Sequence, residues 1–115
     1  MIAARTVVVA LVLAAVPQTA AADEVSLYRD WIRARCIAVA AGDTPFGRDA
    51  AASAGAFVEK GSLPAAAYEA GERLIAAALE KPLAGSVDVR FDTLKCLDLG
   101  ASREVGRLAR RMRGR

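Results

Sequence analysis

The chain has 115 residues, of which 55% are apolar and 25% charged, with a formal net charge of +3, two cysteines and no histidine. That describes one small domain with enough apolar side chains for a core. Without histidine the commonest general base and metal ligand are missing, and no G-x-S-x-G, P-loop or dinucleotide fingerprint occurs. The composition points away from an enzyme, and neither a cofactor nor a metal is expected.

The start of the chain reads as an address. Met1 to Arg5 is short and basic, Thr6 to Val16 is an unbroken apolar run, Pro17-Gln18 breaks it, and Ala20-Ala21-Ala22 precedes the acidic Asp23-Glu24. This is the order of a secretory signal, with cleavage expected after Ala22. A span across a membrane needs about 20 apolar residues, and this run is much shorter. We therefore expect residues 1–22 to be a signal peptide and residues 23–115 a single exported domain, periplasmic in a bacterium, with no stable membrane insertion. In an oxidising compartment two cysteines imply one disulfide, Cys36–Cys96. Closing a loop of about sixty residues stabilises a fold by roughly 4 kcal/mol on the chain-entropy model. The chain has no C-x-x-C, so the bond reads as a staple and not as a redox centre.

Along the mature chain apolar residues recur at helical spacing, which predicts an all-α bundle of about four to five helices. The first is expected from Val25 or Ser26 to Ala41. Tyr28, Ile32, Cys36 and Val39 share one face, widened by Leu27, Trp31, Ala34 and Ala38, while Arg29, Asp30, Arg33 and Arg35 are placed on the wet side. Gly42 ends it. Asp43-Thr44-Pro45 opens a second helix, Pro45 to Lys60. Its centre, Ala50 to Ala56, carries almost only small side chains, which suits either the middle of the domain or a flat contact between subunits. Gly61 stops it, and Ser62-Leu63-Pro64 is read as the start of a third helix reaching Glu80. Gly71 in its middle costs about 1 kcal/mol relative to alanine, which points to a close contact there.

Lys81 to Arg90 breaks the pattern, with Pro82 early and Gly85-Ser86 central. Ten residues exceed the 2 to 8 or so that most helix joints take, and surplus loop length carrying apolar residues is often used for binding. A fourth helix, from Asp92 or Thr93 to Leu99, carries Cys96 and stops at Gly100. A last helix follows Ser102, with Val105, Leu108, Ala109 and Met112 as its stripe. Arg103, Arg107, Arg110, Arg111, Arg113 and Arg115 crowd this end, so the rest of the domain is net acidic. They read first as a solvated face and second as a binder of anionic surfaces. Export argues against a nucleic acid partner. The carboxylates Asp23/Glu24, Asp88/Asp92 and Glu69/Glu72 are all expected to be exposed, so none forms an acid pair.

Two stretches carry a resemblance: Tyr28-Arg29-Asp30-Trp31-Ile32-Arg33-Ala34-Arg35-Cys36-Ile37-Ala38 and Phe91-Asp92-Thr93-Leu94-Lys95-Cys96-Leu97-Asp98-Leu99. Asp49 to Ala54 and Leu63 to Tyr68 lie between them. With these the chain resembles the Tai4 family, periplasmic immunity proteins against the Tae4 peptidoglycan amidases of type VI secretion. One departure is Gly100-Ala101-Ser102, where a larger, more polar joint is expected. The resemblance implies an all-α fold with a disulfide, a homodimer, and inhibition of a cognate cysteine–histidine amidase by a loop inserted into its cleft. The residues nominate the same loop: Leu83, Ala84, Gly85, Ser86, Val87 and Asp88. Ser86 is placed to hydrogen-bond near the catalytic pair and Asp88 to attract its imidazolium. The competing reading is a small exported structural or chaperone-like envelope protein.

Overall fold

The computed structural model describes residues 3–14, 20–83, 85 and 87–114, with side chains of the first helix described from Glu24 onward. Five helices are present: α1 (Ala20–Ala41), α2 (Pro45–Lys60), α3 (Ala65–Glu80), α4 (Asp92–Ala101) and α5 (Arg103–Met112), and there is no strand among the described residues. The fold is all-α, as the spacing predicts. Residues 3–14 have no regular structure and are exposed. No helix among the described residues is long and apolar enough to cross a membrane.

The hub is α1, which touches each of the other four helices, whereas α2 touches α1 alone. Tyr28, Ile32 and Cys36 stand at i, i+4 and i+8 and are fully buried, with Trp31 beside them. They meet Ala67, Ile75 and Leu79 of α3, Cys96 of α4, and Val105, Leu108 and Ala109 of α5. Val39, which shares that stripe by spacing, is exposed instead, and the neighbouring Ala38 is the buried residue of the last turn of α1. Cys36 and Cys96 form the expected disulfide, with Cα atoms 5.4 Å apart. It ties α1 to α4 at the centre of the core.

Tyr28, Trp31 and Tyr68 form an aromatic trio, with Trp31 edge-on to Tyr68 at 4.9 Å between centroids. The Tyr28 hydroxyl donates to the Ala67 carbonyl at 2.7 Å. Burial, with Tyr68 beside it, pushes the Tyr28 phenol well above the usual tyrosine range. Tyr68 is raised too, by burial and by the nearby Glu24 charge. Gly71 lies beneath this trio: a Cβ there would meet the Trp31 ring and come within 2.7 Å of the Tyr28 hydroxyl. That is the close contact its position in the helix suggested.

Helix α2 runs over the expected residues. Thr44 caps it, its hydroxyl accepting from Gly47 N at 3.0 Å, with Pro45 in the first turn. It lays Gly47, Ala50 and Ala54 against α1 and leaves Ala51, Ala52, Gly55 and Ala56 in solvent. It lies at the side of the bundle and not at its centre.

Five local expectations are corrected. Helix α1 begins at Ala20, ahead of the expected Val25 or Ser26. Ser62 does not cap α3, whose N-cap is Pro64 without a side-chain bond. Ser62 instead gives its backbone N–H and its hydroxyl to one oxygen of Glu24, at 2.8 and 3.0 Å. Glu24, expected in water, is therefore buried. Arg29 and Arg33 are not simply on the wet side. One Arg29 nitrogen donates to the carbonyls of Gly100 and Ser102, both at 2.8 Å, and thereby ties the end of α4 and the cap of α5 to α1. The stem of Arg33 lies against Gly100, and the Arg29 guanidinium against Gly106. Helix α4 thus runs through buried Gly100 to Ala101, and Ser102 alone joins it to α5, capping Val105 N.

Candidate functional site

The segment between α3 and α4 lies at one end of the bundle, and its two bases are fixed by cations. The carbonyl of Leu79, in the last turn of α3, accepts from Lys95 Nζ at 3.2 Å and from Arg90 at 3.4 Å. Helix ends leave such carbonyls unsatisfied and carry partial negative charge, so cations there are favourable. Lys95 is nearly buried, with 8% of its side chain exposed, and its ammonium also lies 3.7 Å from Asp92. Asp92 reaches Arg90 as well, at 3.4 Å. One carboxylate in the first turn of α4 therefore holds both cations in place.

Phe91 is the second anchor. Its backbone is left-handed, φ 58° and ψ 34°, a conformation that costs a non-glycine residue about 1–2 kcal/mol. Its ring turns back onto the loop, where a Cβ on Gly85 would stand 3.2 Å from it. Strained backbone of this kind collects at sites that bind or switch. Such strain persists only where the surroundings impose it, and here they consist of the Arg90–Asp92–Lys95 cluster on one side and Gly85 on the other.

Of the nominated residues, Leu83, Gly85, Val87 and Asp88 are exposed. Ala84 and Ser86 lie outside the described residues, and with Ser86 the role expected of its hydroxyl. Leu83, Val87 and Val89 are 39%, 60% and 56% exposed, so the segment presents aliphatic side chains to solvent. Below it lies a hollow of about 430 Å³ lined by Leu79, Pro82, Leu83, Val89, Arg90 and Lys95. A smaller one, about 240 Å³, sits between Leu83 and the Lys95–Leu99 side of α4. On α4, Leu94 and Leu97 are 46% and 48% exposed, which continues the apolar surface past the loop. The sequence did not nominate Lys95, Arg90 or Phe91. The Asp92–Lys95 spacing of i, i+3 is the one local sign of that cluster.

This geometry suits recognition. No group of three or more histidine, cysteine, aspartate or glutamate side chains is placed to hold a metal among the described residues, and both cysteines are spent in the disulfide. The chain offers an aliphatic projection on a fixed base.

Comparison with known proteins gives the following. The model of the Tai4 family, "Type VI secretion system (T6SS), amidase immunity protein", matches residues 26–109. A chain in the structure of the Tae4/Tai4 effector–immunity system from Salmonella typhimurium is 25% identical, with a TM-score of 0.71 over 82% of this chain and 95% of that one. A chain in the complex of Salmonella typhimurium Tae4 with Enterobacter cloacae Tai4 is 26% identical, with a TM-score of 0.66 over 82% and 97%. A chain in the Tae4–Tai4 complex from Enterobacter cloacae is also 26% identical, with a TM-score of 0.66 over 82% and 96%. No curated protein matches the chain.

Proposed function

The chain belongs to the Tai4 family of type VI secretion system amidase immunity proteins, and on that premise we propose that it neutralises a Tae4-type peptidoglycan amidase by seating its 83–88 loop in the catalytic cleft. It acts in the periplasm, after a signal peptide, residues 1–22, has been removed. The observation that carries the reading is the anchoring of the loop. Lys95 and Arg90 converge on the Leu79 carbonyl at its base, and Phe91 holds a left-handed backbone with its ring against Gly85. A loop ordered before it docks loses little conformational entropy on binding, which raises affinity without adding contacts. Leu83 and Val87 supply the apolar surface that an enclosed cleft desolvates, and Asp88 supplies a charge for an imidazolium.

Inhibition of this kind is steric. The chain carries out no step of the reaction; it occupies the place of the substrate peptide. The family complexes named above contain a Tae4 effector together with a Tai4 immunity protein, which supports the same class of partner here. A homodimer is part of the proposal, through the solvent face of α2. There Gly55 has nothing within 4 Å of where its Cβ would be, so no contact inside the chain explains a glycine in mid-helix.

The test uses two loop variants, Gly85→Arg and Val87→Asp, in a bacterial host that exports a Tae4-type amidase. Both positions are exposed; Val87→Asp should leave thermal unfolding unchanged while protection from lysis and inhibition of the purified amidase are lost, and Gly85→Arg, which also crowds the Phe91 ring, should lose both together with some stability. Full inhibition by both variants would refute the loop reading.

A further inference from the structure

A second surface lies apart from the loop. Helices α3 and α5 enclose a groove of about 500 Å³ whose floor is the half-buried Leu74, with the buried Leu108 beneath it, and whose rim carries Arg73, Arg107, Arg111 and Glu104. The arginines are exposed. Among the described residues none of the three joins an ion pair, whereas Arg33, Arg35, Arg48, Arg90 and Lys95 each have a carboxylate partner. Arg107 and Arg111 stand at i, i+4 on α5, the spacing at which like charges repel across one helix turn. Arg73 adds a third guanidinium from the opposite wall, against a single carboxylate from Glu104. Three guanidinium groups against one carboxylate leave the rim with a net positive charge, and a carboxylate lying along the groove would be attracted by the three arginines more than it is repelled by Glu104.

We infer that the α3–α5 groove is a docking site for an acidic amphipathic segment of a partner protein. The apolar floor favours a segment with an aliphatic side chain turned inward, and the rim favours carboxylates on either side of it. Guanidinium groups suit this because their planar donors meet a carboxylate two bonds at a time. A flat lipid surface would find the exposed arginines but has no use for a recessed floor of Leu74 and Leu108. The site uses none of the loop residues, so it stands or falls independently of the loop.

The experiment titrates the full mature chain with a short synthetic helical peptide of glutamate and leucine, and with its counterpart carrying glutamine for every glutamate. Amide chemical shifts report where each binds. The acidic peptide is expected to shift amides around Leu74 and Leu108, to weaken as salt rises, and to bind about tenfold more weakly to the Arg107→Glu/Arg111→Glu variant. The milder Arg107→Gln/Arg111→Gln variant guards against a fold effect and should weaken binding in the same direction. Equal binding of the two peptides, or shifts confined to the 83–88 loop, would overturn the proposal. Arginine-dependent binding to phosphatidylglycerol vesicles with no peptide-induced shift in the groove would overturn it in favour of lipid. Concentration-dependent self-association that protects the groove would overturn it in favour of a second copy.

Discussion

Two glycines in mid-helix, Gly71 and Gly55, should respond to alanine with opposite signs. In helix α2, Gly55 is exposed and has open space where its Cβ would be. In the dissociated chain alanine there recovers the helix-propensity difference, about 1 kcal/mol of added stability, so the comparison is made at a concentration where the chain is monomeric. In helix α3, Gly71 is buried, and a Cβ would stand 2.7 Å from the Tyr28 hydroxyl and 2.8 Å from Trp31 Cη2. Those atoms belong to rings packed in the aromatic trio, so relief requires moving a ring in the core. Overpacking of this kind costs about 1–3 kcal/mol. Displacing Tyr28 also strains its bond to Ala67, and a buried hydrogen bond lost is worth about 1 kcal/mol. Set against the same propensity gain of about 1 kcal/mol, Gly71→Ala should be destabilising by about 2 kcal/mol. For a domain of this size each kcal/mol moves the melting temperature by roughly 4–8 °C. Thermal unfolding followed by circular dichroism should therefore place Gly55→Ala above the parent and Gly71→Ala well below it. If Gly71→Ala melts at or above the parent temperature, the account of the α1–α3 contact is wrong.

Reduction, or a Cys36→Ser/Cys96→Ser variant, removes a crosslink closing a sixty-residue separation and should cost about 4 kcal/mol, read as a fall in the urea midpoint with a steeper slope, since the unfolded chain without the crosslink exposes more surface. Alkaline pH gives a third check. The Tyr28 phenol is raised by burial and by Tyr68, so above the ordinary tyrosine value near 10 the unfolded chain releases a proton that the folded chain keeps. Stability should fall as pH climbs through that value, and the fall should be smaller in Tyr28→Phe. An identical pH profile for parent and variant would remove Tyr28 as the cause.

What the sequence discloses about this fold is what is local. The punctuation of α2 is complete within its own residues, since Thr44, Pro45 and Gly61 are its cap, first turn and stop, and its bounds follow from them. The spacing of Tyr28, Ile32 and Cys36 likewise marks the buried face of α1 without knowledge of what covers it. Arg29 and Arg33 were assigned to water for the same reason: periodicity within one helix cannot reveal Gly100 and Gly106, which open room for those side chains some seventy residues later. One oxygen of Glu24 accepts both Ser62 donors across 38 residues, so in the sequence Glu24 looks like an exposed acid and Ser62 like a helix cap.

The loop between α3 and α4 shows both sides of this. Pro82, Gly85 and the length of the break mark it in the sequence as a projection, but nothing there indicates what holds it. The restraint comes from three residues with ordinary local readings. Lys95 reads as a surface cation on α4, yet its side chain is nearly buried and it bonds to α3. Phe91 stands just before the expected fourth helix with no local sign of a special backbone, yet it takes a conformation that glycine would adopt without cost. Glycine at that position would remove the strain but also the ring that rests on Gly85. Retaining an aromatic side chain at φ 58° therefore sets local strain against restraint of the segment beside it. A loop that served only to join α3 to α4 would gain nothing from that exchange, whereas one that must enter a partner's cleft in a single shape gains affinity from it.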